Sequence, residues 1–179
     1  MDQFVEEVLF THKEIVARSK ELGQKIANDY RDKRPILIGL LKGCVPFMAE
    51  LIKHINCDLE LDFMKASSYE GTCSVGTVTI TKDMNTSVVG RHVLIVEDIV
   101  DSGLTLQQVT NLLKERRAAS IEIVALLDKP SGRTVSCLEP KYIGFTIPPK
   151  FVIGFGLDYN ELYRNLDYVG VLKKSVYEK

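Results

Sequence analysis

Two rhythms of apolar residues alternate along this chain, one with a helical period near 3.6 and one of short continuous or every-other-residue runs. Thr11 followed three residues later by Glu14 forms a capping box. Ile15, Leu22, Ile26 and Tyr30 then mark one face, which predicts a helix ending at the polar stretch 31–34. Ile36 to Leu41 is short and apolar, a strand. Lys42 to Val45 turns, and Pro46 suits the first turn of a helix through His54. Leu59, Leu61 and Phe63 alternate with Glu60 and Asp62, as in a half-exposed strand. The small and polar residues from Ala66 to Gly76 predict a mobile loop, followed by a Thr- and Val-rich strand through Thr81. Val93 to Val96 is a buried strand expected to stop at Glu97 and Asp98, and Leu106, Val109, Leu112, Leu113 and Arg116 then fall at helical spacing. Ile121 to Leu127 and Tyr142 to Ile147 are further strands, each running into proline. There is no internal repeat or low-complexity segment.

Strands alternating with helices predict an α/β fold: a twisted, mainly parallel sheet covered by helices on both faces, with ligands at the carboxyl ends of the strands. At 179 residues the chain is long enough for one well-cored domain and short for two. A net charge of −1 with no basic block argues against a dedicated nucleic-acid surface. The acidic N-terminal residues and the lack of any long apolar run predict a soluble protein without a membrane span. Cys44, Cys57, Cys73 and Cys137 are scattered, with neither zinc-site nor disulfide spacing, so a cytoplasmic setting is expected.

The chemistry concentrates between Val93 and Leu106. A strand end, the small residues Ser102, Gly103 and Thr105, and a helix start together offer free backbone N–H groups and the positive end of a helix dipole, a cradle for a phosphate. Yet Glu97, Asp98 and Asp101 stand beside it and no Lys or Arg does. Carboxylates bind sugar hydroxyls, attract a divalent cation and favour positive charge growing on a nearby carbon, so a phosphorylated sugar that becomes cationic fits all three. A solvated strand end with a helix cap is the plain alternative. The Walker nucleotide loop and the dinucleotide fingerprint are both absent.

This run resembles the phosphoribosyl pyrophosphate motif of type I phosphoribosyltransferases. The resemblance implies their fold as a single domain over 1–179, with a core over about 10–128 and a smaller hood from about 129–179 plus the N-terminal residues. It implies that Glu97 and Asp98 hold the ribose hydroxyls, that Asp101, Ser102, Gly103, Leu104 and Thr105 hold the 5′-phosphate, and that Asp101 is the general base facing the purine. Leu126 to Pro130 and Lys150 to Glu161 resemble the hypoxanthine-guanine branch specifically. By that resemblance Lys129 bonds the 6-oxo group, Phe151 stacks on the ring, the Val152 backbone meets the opposite edge and Asp158 also borders the purine. An ammonium donates only, so it matches a carbonyl and not adenine's amino group. The same resemblance assigns Mg2+ to Asp158 with Glu97 and Asp98, and pyrophosphate to Arg164 and to the Lys42-Gly43 loop, whose peptide before Lys42 is a candidate cis bond. Cys44 stands where Gly or Ser is more usual. Ser68 and Tyr69 match a catalytic lid, with Gly71 and Gly76 as hinges.

The implied reaction joins phosphoribosyl pyrophosphate to hypoxanthine or guanine, giving IMP or GMP and pyrophosphate, in a homodimer or homotetramer that binds neither nucleic acid nor membrane. Rival readings are a transferase that accepts xanthine and a non-catalytic nucleotide-binding regulator of the same fold. Taken singly, Lys129 also reads as a solvated lysine, Asp158 as a turn cap and Arg164 as half of a surface ion pair.

Overall fold

The computed structural model describes residues 2–68, 78–135 and 138–178. Tyr69, Gly71, Gly76, Cys73 and Cys137 lie outside them, and for Ser68 only the backbone is described. A short β1 (Val5–Phe10) leads to α1 (His12–Asp29), whose start carries the capping box of Thr11 and Glu14. There follow β2 (Ile36–Leu40), α2 (Cys44–Leu51) with a 3-10 turn to His54, β3 (Glu60–Ser68), β4 (Val78–Lys82) and β5 (His92–Val100). The chain closes with α3 (Leu104–Glu115), β6 (Ser120–Asp128), β7 (Tyr142–Thr146), β8 (Val152–Ile153), β9 (Val169–Leu172) and α4 (Lys174–Tyr177).

Six strands form one sheet in the order β4-β3-β2-β5-β6-β7, parallel except for β4. Alternate residues of its central strands face opposite layers, as the period of two requires. Leu37, Leu94, Val96, Val124 and Leu126 pack with Ile15, Leu22 and Ile26 of α1 and Phe47, Met48 and Leu51 of α2. Ile36, Ile38, Val93, Ile95, Ile123 and Ala125 pack with Leu106, Val109 and Leu113 of α3. Burial on both faces is why these strands read as continuous apolar runs. Among the described residues no helix is long and apolar enough to cross a membrane.

Three expectations are corrected. β5 does not stop at the acidic pair; it runs through Glu97 and Asp98 to Val100, with Glu97 paired to Ala125 and Val100 to Asp128. A backbone ladder asks nothing of side-chain polarity, and β6 is long enough to continue it. Ala66 to Ser68 belong to β3 rather than to a loop, because β4 pairs with them. The larger sheet also takes β7 from beyond residue 128, so sheet and hood do not divide there.

A second, antiparallel sheet, β1-β9-β8, joins the N-terminal strand to the last two. It touches the main sheet where the rings of Phe10 and Phe145 stack at 4.0 Å. In the main sheet the chain winds outward from β2 to β3 on one side and from β5 to β6 on the other. The loops after β2 and β5 therefore part from each other, leaving a crevice at the switch point where open α/β sheets bind ligands.

Candidate active site

A cleft of about 300 Å³ lies at this switch point, lined by Leu40 to Gly43 from the loop after β2 and by Glu97 to Gly103 and Thr105 from the end of β5 onward. Local geometry builds its phosphate-like end. Gly103 has φ +83, which turns the strand into α3 in a conformation costly for any other residue, and a side chain there would press on Leu138 at 3.1 Å. The Gly103 carbonyl accepts the Gln107 amide at 2.9 Å, so the helix starts at once; the first N–H groups of a helix lack intrahelical partners and suit an anion, and here the Leu104 amide donates to the Ser102 hydroxyl at 3.4 Å.

The acidic pair sits deeper. Glu97 is 9 % exposed, and burial, then the neighbouring Asp98, pushes its carboxyl well above the ordinary range. Burial also raises Asp98, to about 6, against the pull of backbone N–H groups and the Arg164 guanidinium. The Asp98 carboxylate lies flat against the loop after β2: a β-carbon on Gly43 would stand 1.6 Å from its Oδ2. On the other side of that loop a β-carbon on Gly156 would meet the Gly43 carbonyl oxygen at 2.0 Å. Asp98, the Lys42-Gly43 loop and the 154–157 turn are thus in contact, and only glycine permits it at either place. The Leu41–Lys42 peptide is cis.

Next to the cleft Lys129 Nζ donates to Asp101 Oδ2 at 2.9 Å. Gly132 leaves room for that carboxylate, since a β-carbon there would fall 1.5 Å from Asp101 Oδ1. Phe151 is 38 % exposed, with the Tyr177 ring stacked on it at 5.1 Å and Tyr159 edge-on at 5.8 Å. Val152 is buried in β8, opposite Val171.

At the far end Lys42 Nζ reaches Glu161 at 2.8 Å and Arg164 reaches Asp158 at 2.9 Å and Glu161 at 3.4 Å, while Asp158 Oδ2 accepts the Glu161 amide at 2.8 Å. Asp158 does cap a turn and Arg164 does form an ion pair, but the pair joins the two residues assigned to cation and pyrophosphate. Glu97, Asp98 and Asp158 do not form a metal cage: among the described residues no group of three or more His, Cys, Asp or Glu is placed to hold an ion. Hard carboxylate oxygens near a cleft still suit Mg2+, which is commonly held by one or two carboxylates and completed by substrate phosphates.

Three residues gain importance that pattern alone does not signal. Glu161 neutralises both cations of the far end. Tyr177 covers the Phe151 ring from the chain's last helical turn. Arg133, 14 % exposed at its side chain, binds the turn after β5 through the Asp101 carbonyl. Glu161 falls inside the distinctive 150–161 segment; Arg133 and Tyr177 have no local signature.

A phosphoribosyl transferase domain model matches residues 6–160. The hypoxanthine-guanine phosphoribosyltransferase of Lactococcus lactis is 56% identical over 100% of this chain and 97% of its own length, and that of Bacillus subtilis 54% identical over 99% of each. A crystal structure of a hypoxanthine phosphoribosyltransferase from Staphylococcus aureus superposes with a TM-score of 0.96 at 48% identity, covering 100% of this chain and 97% of the other. The chain therefore belongs to the phosphoribosyltransferase family, in its hypoxanthine-guanine branch.

Proposed function

We propose that the protein transfers a 5-phosphoribosyl group from phosphoribosyl pyrophosphate to N9 of hypoxanthine or guanine, releasing pyrophosphate with IMP or GMP. The observation that supports this reading is the order of groups along one cleft: a helix start at Ser102 to Thr105, the buried acids Glu97 and Asp98, and the Asp101 carboxylate, which is paired to Lys129. The amides of Asp101 to Thr105 bind the 5′-phosphate and Glu97 and Asp98 orient the ribose hydroxyls, with their charge favouring the cationic character that grows on C1′ as pyrophosphate leaves. Asp101 takes the proton from N7 and so makes N9 the better nucleophile. Lys129 leaves Asp101 for the 6-oxo group, and Phe151 supports the ring. Lys42, the Gly43 backbone and Arg164 receive the departing pyrophosphate. Asp158, with Glu97 and Asp98 nearby, would hold Mg2+, which supplies charge neutralisation for that leaving group. Ser68 and Tyr69 are assigned to the lid. The free thiols of Cys44 and Cys57 suit a cytoplasmic enzyme.

The direct test mixes protein, Mg2+ and phosphoribosyl pyrophosphate with hypoxanthine, guanine, xanthine, adenine, orotate or uracil and follows nucleotide formation. Activity with a pyrimidine alone would remove the roles given to Lys129 and Phe151; no pyrophosphate release with any base would leave a binding protein.

Two variants refine the assignments. Lys129→Ala should raise the KM for hypoxanthine and narrow the preference over adenine by roughly 10-fold or more, the worth of a charge-assisted hydrogen bond. Unchanged preference in steady-state assays would sever Lys129 from base selection. Glu161→Gln should release Lys42 and loosen Arg164, which keeps its 2.9 Å pair with Asp158, and lower the KM for pyrophosphate in the reverse reaction by about 2- to 5-fold, the scale of exposed ion pairs. A rise in that KM would mean that Glu161 positions the two cations instead of competing for them.

A further inference from the structure

We infer that Arg133, which does not line the cleft, is the positioning residue that aims the phosphate-binding amides, holding the end of β5 and the turn after it by their carbonyls. The inference rests on the reading of Asp101 to Thr105 as a 5′-phosphate loop. Three successive carbonyls of this turn are held by the segment following β6. The Val100 oxygen accepts the Lys129 amide at 3.0 Å and Arg133 Nη2 at 3.4 Å. The Asp101 oxygen accepts Arg133 Nε at 3.0 Å, and the Ser102 oxygen accepts the Thr134 amide at 3.0 Å and the Thr134 hydroxyl at 3.2 Å. A peptide unit is planar and trans, so a carbonyl held on one side directs the next residue's N–H to the other. Holding the carbonyls of Val100, Asp101 and Ser102 therefore orients the amides of Asp101, Ser102 and Gly103 as one set.

Arg133 can do this because its own head is fixed. Its Nη2 also bonds the Asp128 carboxylate and its Nη1 the Leu138 carbonyl, and Asp128 is itself only 6 % exposed. A planar fork of five donors can serve four acceptors in this arrangement, whereas a lysine has one head and no plane. The aliphatic part of Arg133 contributes too: its Cδ would stand 3.3 Å from a β-carbon on Gly103, alongside Val135 and Leu138, so the glycine that starts α3 rests on this brace.

The test compares binding of IMP, which carries the 5′-phosphate, with inosine, which lacks it, by calorimetry on the full chain. Arg133→Lys keeps a positive charge beside Asp128; the double variant Arg133→Met with Asp128→Asn removes both charges and leaves no buried acid unpaired. In each, IMP affinity should fall roughly 10-fold or more, as expected for losing hydrogen bonds from a charged donor, while inosine affinity stays within about twofold. The KM for phosphoribosyl pyrophosphate should rise with it, and that for hypoxanthine should hold. Parallel loss of IMP and inosine binding would indicate general damage and overturn the inference, as would unchanged IMP affinity in the double variant. Wild-type protein that binds IMP no better than inosine would instead overturn the phosphate-loop reading beneath it.

Discussion

Asp101→Asn is expected to lower turnover by about 10²- to 10⁴-fold, the range for losing a positioned general base, with a much smaller change in KM for hypoxanthine. The amide keeps the carboxylate's shape, so the tight space against Gly132 is preserved and the fold should not suffer. What changes is chemistry. An amide cannot take the purine proton, and it meets Lys129 Nζ, 2.9 Å away, through an oxygen of lower charge or through a second donor. Lys129 is then freer, which should keep base binding from weakening. Steady-state kinetics with hypoxanthine check this; turnover within a few-fold of wild type would take the general-base role from Asp101.

Asp98→Asn is expected to move stability and activity in opposite directions. Burial raises the folded-state pKa of Asp98 from an ordinary 3.8 to about 6. Between those values the folded chain holds a proton that the unfolded chain has released, so this group's stabilising contribution is present at low pH and lost as pH rises through about 6. Above that, the buried charge is carried at full cost, with Glu97, raised in the same direction, beside it. Asparagine should therefore stabilise the unliganded protein near pH 7.5 by on the order of 1–3 kcal/mol and flatten the dependence of stability on pH between about 4 and 6. At the same time kcat/KM should fall by roughly 100-fold if, as proposed, this carboxylate faces the ribose and its developing charge. Denaturant melts across pH, paired with kinetics, check both halves. A destabilised Asp98→Asn protein at pH 7.5 would mean that the carboxylate is not under the strain its burial implies.

How legible all this was depends on the distance over which each feature is specified. The capping box of Thr11 and Glu14 and the face of Ile15, Leu22 and Ile26 are written within one or two helical turns, and they appear as read. The run from Val93 to Val96 announces burial on both faces because both faces are indeed covered. The turn at Ser102 and Gly103 announces a helix start because its residue types serve little else. By contrast, the extension of β5 through Glu97 and Asp98 depends on β6, and the membership of β7 in the main sheet depends on which edge remains open. Neither partner is visible from the strand itself. The same holds for Arg133, which binds carbonyls about thirty positions away, and for Glu161, whose partner Lys42 is 119 positions distant.

The sequence by itself determined the elements, their alternation and the residue types of the donor motif, because helix and strand periods, caps and turns are encoded over a few neighbouring positions. Only the tertiary structure decided that the loops after β2 and β5 face one crevice, that Lys129 rests on Asp101, that Glu161 ties Lys42 to Arg164, and that Glu97 and Asp98 hold their protons more tightly than free carboxylates do. Contact between distant segments and removal of a charge from water are properties of the surroundings that folding assembles, and no residue carries its surroundings in its own letter.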